Sequence, residues 1–277
     1  MKILIVPSDV DAAIEAAQLL RARCIASGLD AYVQPSDFGA ACCVEPQELA
    51  LVVPMGGDGT FLHAARLIDF APVPIMGINY GTLGFLSGDP QRDHLELVID
   101  ALAGDIPIER RTTLDARVTD VKGNVQELTA LNEIAYTRGS SGHVVEYEYA
   151  VNGTPVARLK ADGLVLATAT GSTAYALSAG GPIVSPGYKG LLAVPLAPHT
   201  LSARALVTAP SDVVEVTMSG RFMSDASLFV DGRPVAMEGV ASLVALRGER
   251  EVLMADAGTD FFTNVSETFF GGGGISA

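Results

Sequence analysis

Apolar residues in the first hundred positions alternate between two patterns. Lys2–Val6, Ala31–Val33, Leu49–Val53 and Val73–Ile78 are short apolar runs, the pattern of buried strands. Between them the apolar residues recur at helical spacing: Ala13, Ala16, Ala17 and Leu20 within Val10 to about Ala26, then Phe61–Ile68 and Asp93–Leu102. Pro7, Ser8 and Asp9 break the first strand. Ser8 or Asp9 is expected to cap the first helix, and Gly28 to end it. Strands that alternate with helices predict an α/β layer on a mostly parallel sheet.

The texture changes near Gly104-Asp105-Ile106-Pro107. Beyond it come β-branched, alternating segments with tight turns. Leu114–Val121 and Val125–Leu128 flank Lys122-Gly123-Asn124, and Tyr147–Val151 and Pro155–Leu159 flank Asn152-Gly153. Asn-Gly suits a type I′ hairpin turn because both residues tolerate positive φ. Ser211–Met218, Leu228–Val230, Ser242–Leu246 and Glu251–Ala255 continue the β pattern. The expected domains are residues 1–105, α/β, and 106–255, mostly antiparallel β. The segment from about 256 to 277 is expected either to return to the first domain or to be disordered, and its Gly271–Ala277 tail has a disordered composition.

Composition narrows the function. A chain of 277 residues with 49% apolar and 18% charged positions has the material for a substantial core. No apolar stretch approaches the roughly 18 residues that a membrane span needs. The net charge of −14 repels a polyanionic backbone, which argues against a nucleic-acid partner. Cys24, Cys42 and Cys43 are an odd number without metal-site spacing. The apolar run after Met1 is too short for a signal peptide, so a cytoplasmic location is expected.

Gly56-Gly57-Asp58-Gly59-Thr60 follows an apolar strand and opens a helix. Glycines let a backbone turn sharply and approach a ligand, and the N–H groups of such a turn suit phosphates. Gly56, Gly57, Gly59 and Thr60 are therefore candidate donor-phosphate binders. Asp58 is the odd member: it could cap the helix, hold a phosphate-bridging metal ion, or accept a proton from an attacking hydroxyl. Neither the Walker A pattern nor G-x-G-x-x-G is present in this loop. The loop resembles the signature of a kinase superfamily that includes the NAD kinases, the diacylglycerol and sphingosine kinases and, with Ser for Thr, the ATP-dependent phosphofructokinases.

A second constellation runs from Ala161-Asp162-Gly163 through Thr168-Ala169-Thr170-Gly171-Ser172-Thr173-Ala174-Tyr175 to Ser178-Ala179-Gly180-Gly181-Pro182. It reads as a buried strand, a hydroxyl-rich turn and a short helix from Ala174 to Ala179. The hydroxyls could line a neutral pocket for a base and a ribose, or could merely cap the helix. The whole string resembles the motif of the NAD kinase family, which usually has Pro where this chain has Ala169. Gly77–Leu86, Asn132-Glu133, Pro198–Arg204 and Asp231-Gly232 resemble further family elements, in the family's order.

This resemblance implies an N-terminal Rossmann-like α/β domain with a parallel sheet and a C-terminal, mostly antiparallel β-sandwich domain that binds NAD. It implies transfer of a phosphoryl group from ATP or polyphosphate to the 2′-hydroxyl of NAD's adenosine ribose. Asp58 would be the catalytic carboxylate and, with Gly59, would contact NAD. Asn132, Glu133, Thr173, Ala174, Tyr175 and Ser178 would hold the adenosine half, and Asp162 the nicotinamide half. Phe85 would pack on the nucleotide or belong to the core. Lys160 would offset phosphate charge or be a solvated strand-end lysine, and Asp231 is a further NAD-binding candidate. Few cations lie near these motifs, so a divalent ion, Mg²⁺, is expected, without protein ligands that the sequence identifies. A homodimer or homotetramer is implied as well. Two alternatives share the scaffold: a lipid kinase, which would need a membrane-docking face that this acidic chain lacks, and a non-catalytic nucleotide sensor, whose usual mark is loss of the residue that here is Asp58.

Overall fold

The computed structural model describes residues 2–35, 39–81, 84–88, 92–220, 223, 225–256 and 260–271. The chain divides into two compact units, residues 1–110 with 250–277, and residues 111–249. In chain order the first unit begins with β1 (Lys2–Pro7), α1 (Asp11–Ala26), β2 (Asp30–Val33), β3 (Leu49–Met55), α2 (Asp58–Leu67), β4 (Pro74–Ile75) and α3 (His94–Ala103). β5 (Ile108–Thr119) leads into the second unit, followed by β6 (Val125–Ala130), β7 (Glu133–Thr137), β8 (Val145–Val151), β9 (Thr154–Ala161) and β10 (Gly163–Ala167). Next come α4 (Tyr175–Ser178), β11 (Leu192–Leu196), β12 (Leu206–Val207), β13 (Val214–Ser219), β14 (Ser227–Val230) and β15 (Arg233–Pro234). β16 (Ser242–Ala255) takes the chain back to the first unit, where α5 (Phe261–Phe269) follows.

In the first unit, β2, β1, β3 and β4 pair in parallel in that order, and Leu253 and Met254 of β16 add a further parallel partner to β4. The apolar runs make this sheet because both its faces are covered. Ile3, Ile5, Leu51 and Val53 share a core with Ala17 and Leu20 of α1 and Leu97 and Val98 of α3. The expected cap of α1 is not formed: Val10 is its N-cap and has no side-chain bond. Ser8 instead donates its N–H to Met55 O at 2.9 Å, extending the β1–β3 ladder before the helix can begin. Asp93 does cap its helix, accepting from the N–H groups of Leu95 and Glu96, and Gly104 ends that helix at φ +84°. The run Val73–Ile78 contributes a two-residue strand and bridges from Ile78 to Met55 and to Gly88.

The second unit is an antiparallel sandwich. One sheet has the order β12-β11-β10-β7-β14-β15. Opposite it, β13 pairs with β8 and β16, β8 with β9, and β5 with β6. Ile134, Tyr136, Leu164 and Leu166 of the first sheet meet Leu114, Tyr147, Val216 and Leu243 of the second in one core. Asn152 and Gly153 turn the β8–β9 hairpin at φ +51° and +74°, the left-handed pair that a type I′ turn requires. The segments Ser242–Leu246 and Glu251–Ala255 are one continuous strand. Gly248 between them is a close approach and not a break: a Cβ there would lie 2.1 Å from Thr113 Oγ1.

Candidate functional site

The glycine turn sits at the carboxyl end of β3. Gly56 donates to Ile78 O at 2.9 Å, and a Cβ on it would lie 2.3 Å from Thr60 Oγ1 and 2.9 Å from Ser8 Cβ. Packing therefore explains Gly56. It does not explain Gly57 or Gly59, where an added Cβ would meet no atom within 4 Å. Those two leave the backbone uncovered on the outer side of the turn, as a phosphate ligand requires.

Asp58 is the first residue of α2, and Gly57, not Asp58, is the N-cap. The Asp58 carboxylate turns away from its own helix: Oδ2 accepts the N–H of Phe85 at 2.9 Å and Oδ1 that of Leu86 at 3.0 Å. A Cβ on Gly84 would come within 2.1 Å of Asp58 Oδ1, so only glycine lets this segment reach the carboxylate. The side chain is half-buried and its orientation is held from a segment 27 residues away in sequence. Thr82 and Leu83 of the surrounding motif lie outside the described residues. Phe85 packs on α5: its ring stacks on Phe269 at 5.9 Å and 11°, and tilts against Phe261 at 5.9 Å and 54°.

In the second unit, a cavity of about 650 Å³ opens on the sheet face opposite the sandwich core. Strand alternation builds its floor: Glu133, Ala135 and Thr137 of β7 point into it, while Ile134 and Tyr136 point into the core. Tyr175 and Ser178 of α4, with Arg138, Asp162, Leu196, Phe229 and Gly232, are among the other lining residues. The turn from Thr168 to Thr173 lies behind it. Gly171 lets this turn press on the residues before β7, since a Cβ would lie 2.2 Å from Asn132 O.

The hydroxyls of that turn mostly serve the turn itself. Thr168 Oγ1 donates to Leu131 O at 2.6 Å and accepts from Gly171 N–H at 3.2 Å. Ser172 Oγ accepts from Val184 N–H at 3.0 Å, and Thr173 Oγ1 donates to Thr170 O at 3.4 Å. Thr168 and Ser172 are buried. The hydroxyl-bearing residues that line the cavity are Thr137, Tyr175 and Ser178.

Asn132 and Glu133 are pinned by Asp231. Its carboxylate accepts the N–H groups of Leu131 at 3.0 Å, Asn132 at 2.8 Å and Glu133 at 3.2 Å. Asp231 is itself buried and held at φ +46°. Asn132 Oδ1 and Glu133 Oε2 are buried without a hydrogen-bond partner among the described residues. Burial, reinforced by the Asp231 charge and opposed by the Tyr175 N–H, pushes the Glu133 carboxyl up to about 7. Buried acceptors left unmet are costly, and here they belong to a residue that lines the cavity and its neighbour.

The remaining candidates are less central. Asp162 lines the cavity and pairs with Arg138 at 3.3 Å. Lys160 points to Glu146 on β8 at 2.9 Å and is mostly solvated. Thr173 and Ala174 flank α4, with Ala174 as its N-cap. Arg138, Thr137 and Phe229 were missed by motif reasoning. Period-2 alternation from Glu133 reaches Thr137, and Phe229 is the registered neighbour of Ala135, so strand pairing is the signal that finds them.

A glycine turn where a parallel strand passes into a helix is the architecture of nucleotide-binding α/β proteins, and the first unit falls in that class. Family models match both parts of the chain, the ATP-NAD kinase N-terminal domain over residues 4–105 and the ATP-NAD kinase C-terminal domain over residues 131–251. The chain belongs to the NAD kinase family. It is 42% identical over 191 residues to an NAD kinase of Leifsonia xyli, a match covering 69% of this chain and 62% of that protein. An NAD kinase of Aromatoleum aromaticum is 35% identical over 237 residues, covering 82% of this chain and 77% of that protein. Among solved structures, yeast NADH kinase complexed with NADH has a TM-score of 0.86 at 24% identity, over 100% of this chain and 89% of that one. An NAD kinase from Archaeoglobus fulgidus in complex with ATP has a TM-score of 0.76 at 23% identity, over 98% of both chains. These two share the fold.

Proposed function

We propose that this chain is an NAD kinase, transferring a phosphoryl group from ATP or polyphosphate to the 2′-hydroxyl of the adenosine ribose of NAD. The observation that carries the reading is Asp58, an acidic side chain in a phosphate-suited glycine turn, fixed by two N–H donors from another segment. A carboxylate beside phosphates is repulsive unless it has a task. The task proposed is to accept the 2′-hydroxyl proton as that oxygen bonds to the terminal phosphorus and the bond to the leaving nucleotide oxygen breaks. General-base help of this kind is worth about 10²–10⁴-fold. Gly56, Gly57, Gly59 and Thr60 would align the donor phosphates.

The cavity of the second unit is the proposed dinucleotide site, and its size suits part of such a ligand. Asn132 and Glu133 would use their unmatched oxygens on the nucleotide's amino and hydroxyl groups. Tyr175 and Ser178 would bound the adenosine, and Asp162 the nicotinamide half. Among the described residues no group of three or more His, Cys, Asp or Glu is placed to hold a metal ion. Mg²⁺ is therefore proposed as part of the co-substrate, carried on the triphosphate, and no resident metal is assigned. No helix among the described residues is long and apolar enough to cross a membrane. The proposed enzyme is a cytoplasmic homodimer or homotetramer that binds NAD and its phosphoryl donor, and the net charge of −14 supports the absence of a nucleic-acid or anionic-membrane partner.

The test is NADP formation by wild type and by Asp58→Asn with ATP and polyphosphate as donors. A loss of about 10²-fold or more in kcat with the fold intact is expected. NADP formation by the variant at the wild-type rate refutes the role of Asp58, and NAD binding without turnover by wild type favours a sensor.

A further inference from the structure

We propose that Asn264, on α5, is a positioning residue for Asp58, acting through the segment Gly84–Leu86. The proposal rests on the reading of Asp58 as the base. It concerns a helix that no sequence motif marks.

One short segment touches the carboxylate on one side and α5 on the other. Phe85 and Leu86 give their N–H groups to the two Asp58 oxygens, and Gly84 lies against Oδ1. Asn264 Nδ2 reaches the Gly84 carbonyl at 3.5 Å, and Phe269 and Phe261 hold the Phe85 ring. Rotation or withdrawal of these peptides would move both donors from the carboxylate together. A base must lie within hydrogen-bond reach of its proton, and a shift of about 1 Å can cost as much as 10²-fold in rate.

Simple packing does not account for Asn at this position. Asn264 is 3% exposed, and its Oδ1 makes no hydrogen bond among the described residues. Ser87 Oγ is buried and unmatched in the same way, and both residues line a cavity of about 10 Å³ beside Phe85. Asn is a weak helix former, and an apolar side chain here would leave no unmet acceptor. The amide is thus poorly suited to stabilising α5. Its one inward bond goes to the segment that orients Asp58.

The experiment uses the full chain and follows NADP formation with ATP and Mg²⁺. Asn264→Leu keeps the branched outline with a somewhat bulkier side chain and removes the bond, and Asn264→Ala, which removes the bond without adding bulk, is a second variant should the first fold poorly. Glu267→Ala alters an exposed residue of the same helix and serves as the control. Expected for either Asn264 variant is a fall in kcat of about 10-fold, with KM for NAD within about twofold. In an Asp58→Asn background the same substitution should cost nothing more. Wild-type kcat in both Asn264 variants, or an equal loss in the Asp58→Asn background, overturns the proposal. If Asp58→Asn itself is fully active, the reading of Asp58 as base fails first; if it is inactive and the Asn264 variants are normal, only the positioning role fails.

Discussion

Glu133→Gln should make the protein more stable at alkaline pH and leave it little changed at acidic pH. The Glu133 carboxyl is 6% exposed, one of its oxygens has no partner, and Asp231 adds a like charge, so its proton is held up to about 7 against an ordinary 4.5. A folded-state value above the unfolded one means that the native state binds the extra proton. Its contribution is full below about 4.5 and is lost as pH rises through about 7. The difference of roughly 2.5 units, at about 1.36 kcal/mol each, gives about 3 kcal/mol of native-state penalty by pH 8. Glutamine has the same shape and no charge to bury. Urea melts of both proteins without nucleotide at pH 5, 6, 7 and 8 should show the variant gaining on wild type with each step. A stability difference that stays constant from pH 5 to pH 8 refutes the reasoning. NAD affinity should fall in the same variant across this range, because the residue lines the cavity.

Ala169 has φ −59°, close to proline's own angle, and its N–H makes no hydrogen bond among the described residues. Ala169→Pro should therefore raise stability by about 0.4–1 kcal/mol, read as a higher Tm, and a lower Tm argues against the backbone fit. Gly171→Ala should destabilise by about 1–3 kcal/mol and weaken NAD binding, because its Cβ would meet the Asn132 backbone; calorimetry and titration with NAD check both. Lys160→Met should leave KM for NAD and ATP within about twofold, since the amine is occupied by Glu146 at the surface; a tenfold rise would return Lys160 to the site.

Local chemistry was legible and distant partners were not. The alternation of apolar strands and helices marked the parallel unit, and Asn152-Gly153 marked a hairpin of the antiparallel one through backbone angles that few other pairs tolerate. The polar run Arg247–Arg250 disguised the continuity of β16, because Gly248 answers to Thr113, a residue far away in sequence. The glycine turn showed where Asp58 is, but not that Phe85 and Leu86 hold it or that α5 covers Phe85. Counting hydroxyls between Thr168 and Thr173 overstated the pocket, since side-chain direction decides whether a hydroxyl faces a ligand or its own backbone. The tether from Asp231 to Leu131–Glu133 spans about a hundred positions and leaves no periodic trace.

β5 and β16 carry the chain into and out of the second unit, and the two strands meet there: Glu249 N–H donates to Asp115 Oδ2 at 3.3 Å. Residues 111–249 thus begin and end at neighbouring points, as a cassette spliced into a host sequence would. Such a segment lends itself to separate expression and to circular permutation, with its old ends joined by a few residues. The host, by contrast, is assembled from both flanks of the gene, so a ribosome cannot complete its parallel sheet until Leu253 and Met254 have been synthesised.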